Sequence, residues 1–135
     1  MGGFVDRAIF NEDMIYAGNM AKKGYGIAYQ ADACVYHSHN YSCSQQFHRN
    51  FDLGVSQAEH PEIFGSVPSE GEGMKLVKQT LGYLLKSGHI WLVPQLVLQS
   101  GSKYLGYKMG KGYMKLSSKT VLKCTMNREY WKRKE

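Results

Sequence analysis

Cysteine is scarce in this chain and shows no pattern. Cys34, Cys43 and Cys124 are an odd number with no C-x-x-C pair, so neither a disulfide framework nor a thiolate zinc site is indicated, and a reducing, cytoplasmic compartment is expected. Long apolar runs are missing too. The most apolar stretch, residues 90–98, is broken by Pro94 and falls well short of the roughly 20 residues that a spanning helix needs. Residues 1–7 lack the extended apolar region of a secretory leader. No internal repeat or low-complexity tract occurs, and 135 residues suit one domain or part of one.

Charge is present in ordinary amount but unevenly placed. The formal net charge is +6, yet residues 101–135 hold ten Lys or Arg against Glu129 and Glu135, a balance of +8, whereas the first hundred residues stand at −2. Such asymmetry points the tail toward an anionic partner, either phospholipid headgroups or nucleic acid. Tyr104, Tyr107, Tyr113, Tyr130 and Trp131 interleave with these charges and would suit base stacking. No nucleic-acid module motif accompanies them, so that partner ranks last. A peripheral position on the inner face of a membrane is the competing expectation, since each basic residue near anionic lipid contributes about 1 kcal/mol.

Asn11 is placed as an N-cap, with Glu12 and Asp13 in the first turn of a helix over residues 12–23 and Phe10 available to staple onto Ile15. Met14, Ala17, Met20 and Ala21 give this helix an apolar stripe, and Gly24 is its stop. Residues 26–29 and 33–37 read as two short strands. Ser42 to Ser44 then open a helix to about Val55, with Phe47, Phe51 and Val55 as its buried edge. Residues 59–73 read as a long surface loop, dividing the chain into 1–58 and 74–135. Helices are expected over 74–87 and 91–107, the second with Pro94 in its first turn, and the end from Lys108 is basic and weakly patterned.

The residues able to do chemistry fall in two places. Glu12 and Asp13 put carboxylates at a helix start, where Asp13 can take the proton of an attacking hydroxyl; the same pair would equally serve the helix dipole. His37 and His39 lie two apart at a strand end, and neutral imidazole is a common ligand of a divalent metal, although carboxylates from elsewhere would have to complete the site. Gln45 or Gln46 shares a helical face with Arg49, whose planar fork of donors suits a diphosphate. A solvated helix face would look the same.

The ordered series MGGF, FNEDM and GYGIAYQADACVYHSHNYSCSQQFHRNFDLGV closely resembles the family 2 glycosyltransferases, specifically the bacterial rhamnosyltransferase branch. Residues 70–73 (EGEG) and 102–107 (SKYLGY) look like that branch as well. The resemblance implies an inverting GT-A enzyme of α/β fold, with Asp13 as the base and Glu12 shaping the acceptor site. It implies that Gly2, Gly3 and Phe4 lie beside the sugars and that Gln45, Gln46 and Arg49 help hold the donor diphosphate. His37, with His39 beside it, would complete a Mg or Mn site.

By the same resemblance the donor is a dTDP-rhamnose-like nucleotide sugar and the acceptor a glycan or lipid-linked sugar. The family's first half carries the nucleotide-binding strands and an acidic D-x-D motif. No D-x-D string occurs here, so the chain looks like the C-terminal half of such an enzyme. The expected architecture is therefore the acceptor-side part of a GT-A domain over 1–58, a loop over 59–73, and a helical, basic extension over 74–135. Either the chain belongs to a transferase, or it is a non-catalytic remnant or a module whose partner chain supplies the nucleotide-binding half.

Overall fold

The computed structural model describes residues 3–5, 7–36, 39–65 and 69–132. Every regular element among them is helical: α1 (Glu12–Lys22), α2 (Cys43–Glu59), α3 (Pro61–Phe64), α4 (Ser69–Lys86), α5 (Val93–Lys111), α6 (Ser118–Cys124) and α7 (Arg128–Lys132), with 3-10 turns at Ile90–Leu92 and Tyr113–Lys115. This overturns the expected α/β fold with short strands. Residues 26–29 and 33–36 carry no ladder. Val35 is 86% exposed and Tyr29 93%, and the backbone between them closes only local turns, Ala33 N–H to the Gln30 carbonyl at 3.2 Å and Cys34 N–H to the Asp32 carbonyl at 3.0 Å. Alternating β-favouring residues make a strand only when another edge pairs with them, and a lone two-stranded ribbon is marginal at best.

The centre is a close pairing of α2 and α5. A Cβ on Gly106 would fall on the Phe47 carbonyl oxygen, and one on Gly110 would fall on the Phe51 carbonyl oxygen. Both contacts advance by one turn in the same sense, so the two helices run parallel. From the other side Gly54 of α2 faces the Tyr107 carbonyl oxygen and the Lys111 amide. Glycines at these positions let the backbones approach where any side chain would hold them apart. Phe51 and Val55 are fully buried here, as their four-residue spacing predicts, beside Ile9, Val121 and Cys124.

Segments before α1, within α2 and beyond α5 thus share one core. The end from Lys108, weakly patterned in sequence, folds back as α6 and α7, and Leu116, Tyr130 and Trp131 pack on this core. The expected loop over 59–73 is partly helical as well, since Pro61 occupies the first turn of α3, where its missing N–H costs nothing, and α4 opens at Ser69.

Local signals act at the helix ends. Ser42 and Gln45 form a reciprocal capping box at the start of α2, with Gln45 N to Ser42 Oγ at 3.3 Å and Ser42 N to Gln45 Oε1 at 2.9 Å. Gly24 (φ 85°) and Gly88 (φ 75°) stop α1 and α4, each with the paired carbonyl bonds of a Schellman turn. Asn11 differs from expectation. It adopts φ 61° and makes no side-chain cap; its Nδ2 instead donates to Ser56 Oγ at 3.5 Å, and Ser56 Oγ donates to the Phe10 carbonyl at 2.6 Å. Asparagine tolerates the left-handed region better than most residues, so the chain turns sharply into α1 while bonded to α2. Consequently α1 turns Ile15 inward, 1% exposed, with Gly18 against Ile63, and leaves Met14 of the predicted stripe 47% exposed.

Candidate functional site

Arg49 is where the two chemical motifs meet. Its guanidinium carbon lies 4.6 Å from the centroid of Phe10, directly before Asn11-Glu12-Asp13, and 5.5 Å from that of Tyr41. The His39 ring stacks on Tyr41 in turn, centroids 4.9 Å apart and planes 13° apart. One helix face accounts for this, because Arg49 and Ser56 stand seven residues apart on α2 and hold the two sides of the Phe10-Asn11 corner. The guanidinium makes no hydrogen bond or ion pair among the described residues. The guanidinium thus lies over two aromatic rings, and its N–H donors have no partner among the described residues that would compete with an anion.

Glu12 and Asp13 are exposed at the first turn of α1. Asp13 Oδ1 accepts the Met14 N–H at 2.8 Å, while Oδ2 has no hydrogen bond among the described residues. One turn further along, Tyr16, Asn19, Met20, Lys22 and Lys23 form one wall of an open cleft of about 800 Å³, and Gly3, Phe4 and Val5 form the other. The Phe4 and Tyr16 rings lie 5.2 Å apart. Glu12 and Asp13 precede the first cleft residue of α1, Tyr16, by about one helical turn and do not themselves line the cleft, which Lys22 and Lys23 do.

The remaining predicted residues are placed unevenly. Gln45 has its Oε1 engaged in the capping box, leaving its amide nitrogen outward. Gln46 is half-buried, and its main-chain carbonyl accepts from Asn50 Nδ2 at 2.7 Å. Gly2 and His37 lie outside the described residues. Among the described residues no three His, Cys, Asp or Glu side chains converge. His39 with the described carboxylates therefore does not make a cation site.

Sequence reasoning missed the partners that position the site. Ser56 and Tyr16 were readable by spacing alone, Ser56 lying seven residues after Arg49 on one helix and Tyr16 four after Glu12, whereas Tyr41, ahead of α2, was not. It also missed Asp52, which is buried in α2 and accepts from Thr125 Oγ1 at 2.6 Å, Met126 N at 2.9 Å and Asn127 N at 3.2 Å. Burial pushes its carboxyl above the usual range despite these bonds. Glu59 gathers the Tyr113 hydroxyl at 3.0 Å and the Tyr130 hydroxyl at 2.6 Å; burial and this bond push the Tyr130 phenol up. Both acids fasten the chain's end to α2, and neither faces the cleft that Tyr16 lines.

The chain is similar to two curated proteins. Over 134 residues it is 42% identical to the O-antigen chain rhamnosyltransferase WbaN of Salmonella anatum and 40% identical to the O-antigen chain rhamnosyltransferase RfbN of Salmonella typhimurium. The alignment covers 97% of this chain but 42% of each relative, so the chain spans less than half the length of the curated relatives it matches. This likeness fits a piece of a rhamnosyltransferase and supports a related function. No family model matches the chain, and no solved structure matches it.

Proposed function

We propose that these residues form the acceptor-side part of an inverting rhamnosyltransferase that moves rhamnose from a nucleotide-diphosphate donor to a glycan or lipid-linked acceptor. The observation that carries this reading is the convergence on Arg49 of the segment bearing Glu12 and Asp13 and the segment bearing His39, beside a cleft that includes Gly3 and Phe4. In the transfer step the acceptor hydroxyl oxygen attacks the anomeric carbon from the face opposite the leaving group. The bond from that carbon to the diphosphate oxygen breaks, the diphosphate leaves with the electron pair, and Asp13 Oδ2 takes the hydroxyl proton. Glu12 and Tyr16 orient the acceptor, and the Arg49 edge meets the negative charge of the diphosphate.

A graft tests this reading. Replacing the matching 134 residues of the Salmonella anatum relative with this chain should give a protein that transfers labelled rhamnose from dTDP-rhamnose to that relative's acceptor. A folded graft with no transfer would count against the proposal.

A further inference from the structure

Among the described residues no helix is long and apolar enough to cross a membrane, yet α4, the 3-10 turn and α5 leave much apolar surface outside. Ile90 is 61% and Trp91 70% exposed at the turn. Along α5, Val97 and Leu98 are 61% and 65% exposed, and one to two turns on Tyr104 and Leu105 are 52% and 56% exposed. Spacings of seven residues from 97 to 104 and from 98 to 105 put these four on one outward side of α5, opposite the glycines that seat it on α2.

Past the first turn of α4, which holds Glu70 and Glu72, the charge on this hairpin has one sign. From residue 73 to residue 128 the sequence contains no Asp or Glu but nine lysines and one arginine. Lys75, Lys78, Lys103 and Lys108 lie exposed on the same two helices. Beyond the first turn of α4 the two helices carry lysines and no acid, which suits an anionic partner rather than a basic one. An outward apolar stripe with a protruding tryptophan, tyrosine beside it and lysines around it has the composition of an element that lies in a headgroup layer.

We propose that the α4–α5 hairpin docks on an anionic lipid surface, with the Ile90-Trp91 turn and the Leu98-Leu105 side of α5 entering the interface and the hairpin lysines meeting the headgroups. This moves the lipid contact away from the last residues, whose tyrosine and tryptophan pack on the core through α7. The inference is independent of the transfer reading, because it concerns a face on which none of the site residues stands.

Flotation of the chain with phosphatidylcholine vesicles, with and without phosphatidylglycerol, tests it. Binding is expected only when phosphatidylglycerol is present, with a blue shift of tryptophan emission that Trp91→Phe abolishes. The exposed pair Leu98→Ser with Leu105→Ser should reduce binding at least tenfold while circular dichroism stays unchanged. Lys75→Ala with Lys78→Ala, which touches no core residue, should weaken binding about fivefold per lysine. Lys119→Ala with Lys123→Ala on α6 should change it little. The proposal is overturned by equal binding to neutral vesicles, by loss of binding only in the α6 variant, or by unchanged flotation of the leucine variant. It is equally overturned if light scattering shows a dimer that the leucine variant abolishes and no lipid binding.

Discussion

Replacing Asp52 by alanine should unfasten the chain's end from α2. The carboxylate is 3% exposed and accepts from three donors, the Thr125 hydroxyl and the Met126 and Asn127 amides. A buried donor left without a partner costs about 1–3 kcal/mol. Relief is partial: Asn127 N also reaches Thr125 Oγ1 at 3.1 Å, and removing a desolvated carboxylate recovers the cost of burying it. The net loss is therefore about 2–4 kcal/mol, which for a chain of this size lowers Tm by roughly 8–15 °C.

The pH dependence sharpens the test. A raised carboxyl means that the folded state binds the proton more tightly than the unfolded one. The resulting stability is fully present below the unfolded value of about 3.9 and is lost as pH rises through the folded one. Thermal melts of the wild type should show that decline on the alkaline side of pH ~3.9, and those of Asp52→Asn should lack it. Asp52→Asn should also be less stable than wild type at neutral pH, since one face of its amide presents N–H groups to amide donors. An Asp52→Ala variant that melts within about 1 °C of the wild type would refute the reasoning.

Gly110→Ala should cost about 1–3 kcal/mol by forcing α5 away from the Phe51 carbonyl, whereas Gly101→Ala, with open space around its Cβ position, should be neutral or stabilising by up to about 1 kcal/mol; denaturant titration compares them. Arg49→Lys in the grafted enzyme should raise KM for the nucleotide sugar about tenfold or more, because an ammonium cannot reproduce the planar fork of donors that suits a diphosphate. An unchanged KM would remove Arg49 from the donor site.

How far the fold could be read depended on how local its causes are. The start of α2 was legible because Ser42 and Gln45 satisfy each other within one turn, and the stops at Gly24 and Gly88 are equally local. The strands over 26–29 and 33–37 were misread because alternation records a preference that pairing must realise, and residues 26–29 and 33–36 pair with nothing among the described residues. α6 and α7, with 7 and 5 residues, are too short to display a period, and what holds them is Asp52 and Glu59 on a distant helix. The parallel seating of α2 and α5 rests on Gly54, Gly106 and Gly110, whose value appears only when two helices are brought together. Within the site, Asp13 and Arg49 were legible as residue types, but the ring stack joining their segments depends on Tyr41 and Phe10, which hydrophobic patterning alone assigns to packing.

The base assignment is tested most directly by the rhamnose transfer rate of the grafted enzyme carrying Asp13→Asn, measured beside Glu12→Gln under saturating donor and acceptor. Asp13→Asn preserves shape and the helix start but cannot accept a proton, so kcat should fall by about 10²- to 10⁴-fold with the fold unchanged, while Glu12→Gln should act mainly on the KM for the acceptor. Transfer at the wild-type rate by Asp13→Asn would contradict the account.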